Sequence, residues 1–223
     1  MKTPKLNIME TSSKPFQDRI EAGQRLGAAL KRLHIQPDVV LGIPRGGVVV
    51  AQQVAQILGS QLDIVLTRKI GAPGNPELAI GAVGEEGHLY LNEGLAEMTG
   101  ADDDYIQRAK EHELKTIAQR KELFRASRPK VPLAGKTVVI TDDGIATGAT
   151  VQAAVWSVHR EKPAKVIVAM PVGARSALEK LAQDADWVIS LSAPENFGAL
   201  GQFYIHFDQV DDSQVEEILK GIY

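Results

Sequence analysis

The 223-residue chain has no cysteine, which excludes disulfide staples and thiol catalysis and fits a reducing compartment. It has no excess of positive charge: the formal net charge is −3, so no broad basic field exists to hold nucleic acid non-specifically. No apolar run approaches membrane-spanning length, and the polar stretch Met1 to Ser13 lacks the apolar core of a signal peptide. A cytoplasmic protein with no membrane partner and no nucleic-acid partner is the expectation. Two common phosphate motifs are missing as well, Gly-x4-Gly-Lys-Ser/Thr and Gly-x-Gly-x-x-Gly. His34, His88, His112 and His159 are scattered without ligand spacing, which argues against a zinc site.

What is present reads as one sizeable α/β domain with room for an insertion. Ser13-Lys14-Pro15 reads as a helix entry, and Phe16, Ile20, Leu26, Leu30 and Leu33 recur at roughly helical spacing. Residues 39–43 form a buried strand run, and comparable runs recur at 62–67, 137–141 and 165–170 with helices between them. That alternation predicts right-handed crossovers and a parallel sheet with helices on both faces, whose ligands sit at the carboxyl ends of the strands. Residues 102–128 read as a long helix, with acids at its start, Arg120, Lys121, Arg125 and Arg128 at its end, and an apolar stripe of Ile106, Leu114, Ile117 and Phe124. Its basic end is either a solvated face or a contact for RNA or a regulator. Residues 203–207 alternate, predicting a strand with Phe203, Ile205 and Phe207 on one face and Tyr204 and His206 on the other. Residues 211–219 read as a terminal helix covering the sheet edge.

The most informative segment is 138–150, where an apolar strand runs into Asp142-Asp143, then Gly144-Ile145-Ala146-Thr147-Gly148, then a helix from about Ala149. Gly144 and Gly148 allow a tight path and a close approach, and the N–H groups at a helix start offer donors and a favourable dipole to a phosphate. Thr147 and Thr150 add hydroxyls. The carboxylates repel a phosphate, so they face either vicinal sugar hydroxyls or a hydrated Mg²⁺. At these residues the chain resembles the type I phosphoribosyltransferases, whose signature is an apolar strand, paired acids and a Thr-Gly phosphate loop.

The resemblance spans residues 16–219 and is strongest at 138–150 and 39–51. It implies a type I phosphoribosyltransferase-like parallel sheet in a single domain over 1–223, a helical insertion at about 94–130, and hood elements at about 1–15 and 190–223. It implies Mg²⁺ as cofactor and phosphoribosyl pyrophosphate as donor, with residues 144–148 and Thr150 on the 5-phosphate. Asp142 and Asp143 would hold the ribose hydroxyls and the metal, directly or through water. Arg45-Gly46-Gly47, after a buried strand, would bind pyrophosphate, where the glycines expose N–H groups and Arg45 offers a fork for phosphate oxygens. The plain alternative is a tight strand-to-helix turn. Arg68 and Lys69 end the next strand, like the basic residues that touch pyrophosphate in orotate-type enzymes, or are ordinary surface charge. Residues 71–77 are too rich in Gly and Pro for helix or strand, and by resemblance are the mobile loop that closes over the reacting sugar; Lys69 and Glu77 join Asp142 and Asp143 as candidate catalytic residues.

The acceptor is less defined. Ala146 stands where 6-oxopurine enzymes carry an Asp, and adenine-type members also have Ala-Thr-Gly. Asp186-Trp187-Val188 and Pro194-Glu195-Asn196-Phe197 resemble hypoxanthine-guanine-type segments, which makes Trp187 either a platform for a flat base or a core aromatic. Tyr204 is a second acceptor-facing candidate. The order of segments implies a transferase that joins ribose phosphate to a small nitrogenous acceptor, by the same resemblance a nucleobase, or else a non-catalytic sensor of phosphoribosyl pyrophosphate. Dimers are common among the proteins it resembles, so a homodimer is one expected assembly.

Overall fold

A computed structural model describes residues 6–9, 14–126 and 128–221, so most of the polar stretch Met1 to Ser13 lies outside the described residues. The elements run β1 (Leu6–Ile8), α1 (Arg19–Arg32), β2 (Val39–Gly42), α2 (Gly46–Leu58), β3 (Gln61–Ile64), β4 (Thr67–Ala72), β5 (Asn75–Gly84) and β6 (Leu89–Leu91). They continue with α3 (Glu93–Met98), α4 (Asp103–Arg125), β7 (Thr137–Thr141), α5 (Ala149–His159), β8 (Lys165–Val172), α6 (Arg175–Asp184), β9 (Trp187–Ser192), a 3₁₀ turn at Leu200–Phe203, and α7 (Asp212–Lys220).

Six strands form one parallel sheet in the order β1-β9-β8-β7-β2-β3. Successive side chains of a strand point to opposite faces, and each face needs its own cover. Val40, Val139, Ile167 and Ile189 pack into one core with Leu26 and Leu30 of α1 and Val50 and Val54 of α2. Val39, Leu41, Val138, Ile140, Val166 and Val168 pack into the other with Val151 and Val155 of α5 and Leu178 and Leu181 of α6. The expected parallel sheet with helices on both faces is the observed architecture.

Three features depart from the expectations. First, β4, β5 and β6 make a separate antiparallel sheet. The Gly/Pro-rich stretch 71–77, expected to be neither helix nor strand, is the tip of its hairpin: Gly71 and Ala72 lie in β4, Asn75 onward in β5, and Pro73-Gly74 turn the chain with Gly74 at φ +72°. A Cβ on Gly71 would meet the Pro76 backbone at 2.7 Å, so glycine lets the strands close despite an irregular register there. Second, α1 starts at Arg19, capped by the Asp18 side chain accepting from the Glu21 N–H, which leaves Phe16 outside the helix and Ile20 46% exposed.

Third, residues 203–207 do not form the predicted strand. Phe16 and Tyr204 make an isolated parallel bridge, with Phe16 N–H donating to Phe203 C=O and Ile205 N–H to Phe16 C=O. The expected faces are only partly kept: Phe203 and Phe207 pack against the core and His206 is exposed, but Tyr204 is buried and Ile205 is 54% exposed. Pairing with Phe16 decides the orientation, because it turns the Tyr204 ring inward onto Phe16 and Phe207.

Helix α4 lies against β4 and β5 and meets β3 at its own C-terminal end. Asp102 caps its start by accepting from the Tyr105 N–H, and Ile117 and Phe124 are buried on the stripe the spacing predicts. Its end is held by charge: Arg125 donates to Asp63 of β3 at 2.5 Å and to Glu85 at 3.0 Å, while Lys130 reaches Glu85, Glu86 and Glu161. Opposing carboxylates hold the Arg125 and Lys130 cations above their ordinary pKa although burial acts the other way.

Candidate active site

The loop between β7 and α5 is shaped by one apolar anchor and two glycines. Ile145 is buried, its N–H donates to Val172 C=O and its C=O accepts from Ala174 N–H, so the loop is stitched to the end of β8. Ala146, Thr147 and Thr150 surround it, and Ala146 and Thr150 are exposed. Gly148 takes φ +78° as the residue before α5, and no side chain caps that helix. Uncapped N–H groups at a helix start, flanked by two threonine hydroxyls, suit an anion such as a phosphate. Gly144 is required for a different reason: a Cβ there would meet Leu200 Cδ1 at 2.2 Å, so its absence lets Leu200 lie directly on the loop.

Asp142 and Asp143 diverge from the end of β7. The Asp142 N–H contacts Met170 Sδ at 3.3 Å, and the Asp143 N–H donates to Asp142 Oδ1 at 2.9 Å. Burial and then the Asp143 charge push the Asp142 carboxyl well above the usual range. Asp143 meets a residue absent from the sequence expectations: Arg19 Nε donates to its Oδ2 at 2.8 Å. Arg19 also donates to Asp208 C=O and lies 3.9 Å above the Phe207 ring. No sequence spacing could have paired residues 124 positions apart.

The two glycine loops interlock. A Cβ on Gly46 would fall 2.1 Å from Asp143 Oδ2, and one on Gly47 would fall 2.8 Å from Asp142 Cα. Arg45-Gly46-Gly47 at the start of α2 and Asp142-Asp143 at the end of β7 therefore occupy one site, because β2 and β7 are adjacent parallel strands ending side by side. The Pro44–Arg45 peptide is cis, and Arg45 Nη1 is 3.9 Å from Asp212 of α7. Arg45 and Gly46 line a shallow concavity with Arg19 and Phe207.

Pro44, Arg68, Asp142 and Thr150 line a cleft of about 320 Å³. The long helix reaches it too, through Ile117 and Arg120. Arg68 is paired with Glu113 of α4 at 2.7 Å. Lys69 pairs across the hairpin with Glu77 at 2.9 Å, and Glu77 is mostly exposed. Neither Lys69 nor Glu77 is among the residues lining the cleft.

The two acceptor candidates separate. Trp187 opens β9, and since all six strands are parallel it sits at the amino edge of the sheet, opposite Asp142 and Arg45; there Lys165 Nζ lies 5.4 Å from its ring. Trp187 is thus a packing aromatic at the wrong end for a base platform. Tyr204 lies beside the acids, but its hydroxyl donates to the Asp143 carbonyl, and burial with the Asp143 charge pushes its pKa up. Arg19, Arg120 and Leu200 were missed because each reaches the site from an element distant in the chain. Among the described residues, no cluster of three or more His, Cys, Asp or Glu could hold a metal, and no helix is long and apolar enough to cross a membrane.

Residues 17–208 match the phosphoribosyl transferase domain family model. Two Mycobacterium tuberculosis proteins, named "Putative phosphoribosyl transferase Rv0571c" (strain H37Rv) and "Putative phosphoribosyl transferase MT0597" (strain CDC 1551), are each 41% identical over 206 residues. That alignment covers 92% of this chain and 46% of either relative, so the chain spans about half the length of the curated relatives it matches. The crystal structure of TT1426 from Thermus thermophilus is similar at a TM-score of 0.89 and 46% identity, covering 93% of this chain and 98% of that one. With the family model spanning most of the sequence and both glycine loops inside the match, the chain belongs to the phosphoribosyl transferase domain family.

Proposed function

We propose that the protein transfers the 5-phosphoribosyl group of phosphoribosyl pyrophosphate to a small nitrogenous acceptor, with release of pyrophosphate. The observation that carries this reading is the interlock of the two glycine loops: a helix start suited to a phosphate and an Arg-Gly-Gly helix start meet across the Asp142-Asp143 pair. Gly144 to Gly148 and Thr150 hold the 5-phosphate, whose binding energy orients the sugar for reaction. Arg45, Gly46 and Gly47, with Arg68 and Lys69, take the pyrophosphate and stabilise the charge that grows on it as the bond to the anomeric carbon breaks. Asp142 and Asp143 accept from the ribose hydroxyls as the ring flattens toward an oxocarbenium-like state.

The chemistry of the donor set fits Mg²⁺, which binds through one or two carboxylates while keeping water and substrate phosphate oxygens as its other ligands. Two adjacent hard oxygen donors beside an Arg-Gly-Gly loop suit that mode, and a third protein carboxylate is not needed. When bound, the ion neutralises charge on the leaving pyrophosphate. Asp142 would bind it as the carboxylate, the charged form that burial of this group disfavours and a bound cation would favour. The Lys69–Glu77 pair lies on the β4–β5 hairpin outside the cleft lining; in this reading the hairpin closes over the sugar to keep water from the cation, which frees Lys69 for the pyrophosphate.

A second reading is a sensor that binds the donor without turnover. Two observations favour it: Trp187 is at the far edge of the sheet, and the Tyr204 hydroxyl is committed to the Asp143 carbonyl, so no aromatic foreseen as a base platform is free beside the acids. Isothermal titration of phosphoribosyl pyrophosphate with Mg²⁺, followed by a pyrophosphate-release screen across nucleobases, separates the readings. Binding with release on one base supports the transferase and names its acceptor. Binding without release on any base supports the sensor, and absence of binding overturns both.

A further inference from the structure

The α3–α4 segment looks at first like a bystander, a charged helix laid against β4 and β5. Two observations argue otherwise. Ile117 and Arg120, three residues apart on one face of α4, line the same cleft as Pro44, Arg68, Asp142 and Thr150. The two arginines there also differ in how they are satisfied. Arg68 is neutralised by Glu113 at 2.7 Å, whereas Arg120 is half-buried with no carboxylate within ion-pair distance among the described residues. A partly desolvated guanidinium without a counter-charge is unfavourable, and an anion entering the cleft would relieve it.

We infer that Arg120 is an anion-binding residue of this site, and that α4 is a wall of the cleft that takes the diphosphate end of the donor. The guanidinium presents a planar fork that matches phosphate oxygens two at a time, which a lysine at that place would not. Its aim depends on the docking of α4. Ile117 is buried three residues before it, and Arg125 is locked to Asp63 and Glu85 five residues after it, so Arg120 lies between two fixed points of the helix. The basic end of α4 then divides its work: Arg125 holds the helix, and Arg120 reads the ligand.

This inference rests on the phosphoribosyl-pyrophosphate reading for the identity of the ligand, and titration can separate the two. Inorganic pyrophosphate with Mg²⁺, ribose 5-phosphate and phosphoribosyl pyrophosphate are titrated into the wild type, Arg120→Ala, Arg120→Lys and the exposed α4 control Arg108→Ala. Arg120→Ala should weaken pyrophosphate and phosphoribosyl pyrophosphate by about tenfold or more, with ribose 5-phosphate changed by less than about twofold. Arg120→Lys should fall between, and Arg108→Ala should match the wild type. Unchanged pyrophosphate affinity in Arg120→Ala would overturn the inference, as would an equal loss for all three ligands with a lowered melting temperature. Pyrophosphate binding that needs Arg120 in a protein that ignores phosphoribosyl pyrophosphate would keep the anion site and remove the donor reading. A wild type that binds none of the three removes both.

Discussion

Arg19 Nε and Asp143 Oδ2 are 2.8 Å apart, and this contact ties the first helix to the acid pair at the end of β7. Both side chains are about nine-tenths buried, at 11% and 13% exposure. Through the same guanidinium the segment 207–208 is attached as well, by the Asp208 carbonyl and the Phe207 ring. Replacing Arg19 with Ala leaves the Asp143 carboxylate unpaired and removes the stacked cation. Urea denaturation should show a loss of about 2 kcal/mol or more, the cost of stranding a largely buried charge. A loss within about 0.5 kcal/mol, typical of an indifferent surface position, would show that the contact carries no stability.

Asp142 sets a conflict between stability and function. Its folded pKa is raised above the ordinary 3.8 by burial and by Asp143, so between those two values the folded state holds a proton that the unfolded chain has released. Stability therefore falls as pH rises through that interval, and above the raised pKa the full penalty is present. Asp142→Asn cannot ionise and keeps an oxygen for the Asp143 N–H. Its melting temperature should exceed that of the wild type most at pH 8, with the gap closing as pH falls toward the ordinary carboxylate value. Binding of phosphoribosyl pyrophosphate with Mg²⁺ should weaken in the same variant. Parallel melting curves at every pH would show that the Asp142 charge is not penalised.

The close approach of the loops is testable at Gly46. An added methyl group would sit 2.1 Å from Asp143 Oδ2 and 2.8 Å from Arg19 Nε, so Gly46→Ala must push the Arg-Gly-Gly loop off the acids. We expect about 1–3 kcal/mol of destabilisation, as for other overpacked sites. Calorimetric titration should show that pyrophosphate-bearing ligands lose more affinity than ribose 5-phosphate. Equal affinities in variant and wild type would mean that the interlock is dispensable for binding.

The ionic cluster under α4 gives a prediction about stability alone. The Arg125, Asp63 and Glu85 side chains are 10%, 1% and 4% exposed, and Asp63 also accepts from the Val131 N–H. Arg125→Ala removes the shared cation and should cost about 3–5 kcal/mol, the range for breaking a buried pair from one side. Hydrogen exchange should then rise first in α4 and at the end of β3, where the latch is lost. Unchanged protection along α4 would place the helix's anchorage in the apolar stripe of Ile106, Ile117 and Phe124 instead.

How far the sequence reached can be followed residue by residue. The alternation of apolar strands with helices was enough to place Arg45 and Asp142 at one edge, because a parallel sheet delivers the ends of its strands together. It misplaced Arg68 and Lys69: the run 62–67 breaks after Ile64, and both residues lie inside β4 of the antiparallel sheet instead of at the end of a parallel strand. The 138–150 segment carried its own local geometry, since the glycines, the strand before them and the helix after them act within a dozen positions. Short apolar runs with intervening Gly and Pro were harder to read. In residues 71–77 the composition argued for a loop, while pairing with the next strand made a hairpin with a two-residue turn. In residues 203–207 the alternation did not survive as a strand, because a 3₁₀ turn ends at Phe203 and the bridge to Phe16 turns Tyr204 inward while leaving Ile205 exposed.

By itself, then, the sequence determined the parallel α/β sheet, the phosphate-type loop, the acid pair and the Arg-Gly-Gly turn. Those depend on local backbone preference and on periods of two and 3.6 residues, which are written along the chain. Only the tertiary structure decided that Arg19 pairs with Asp143, that Arg120 enters the cleft, that Leu200 lies on Gly144, and that Trp187 is at the far edge. Each of these is a meeting, or a separation, of side chains from distant segments. Packing sets such distances, since a close-packed interior and a shared parallel sheet direction admit few arrangements, and no local pattern in the chain encodes which one is taken.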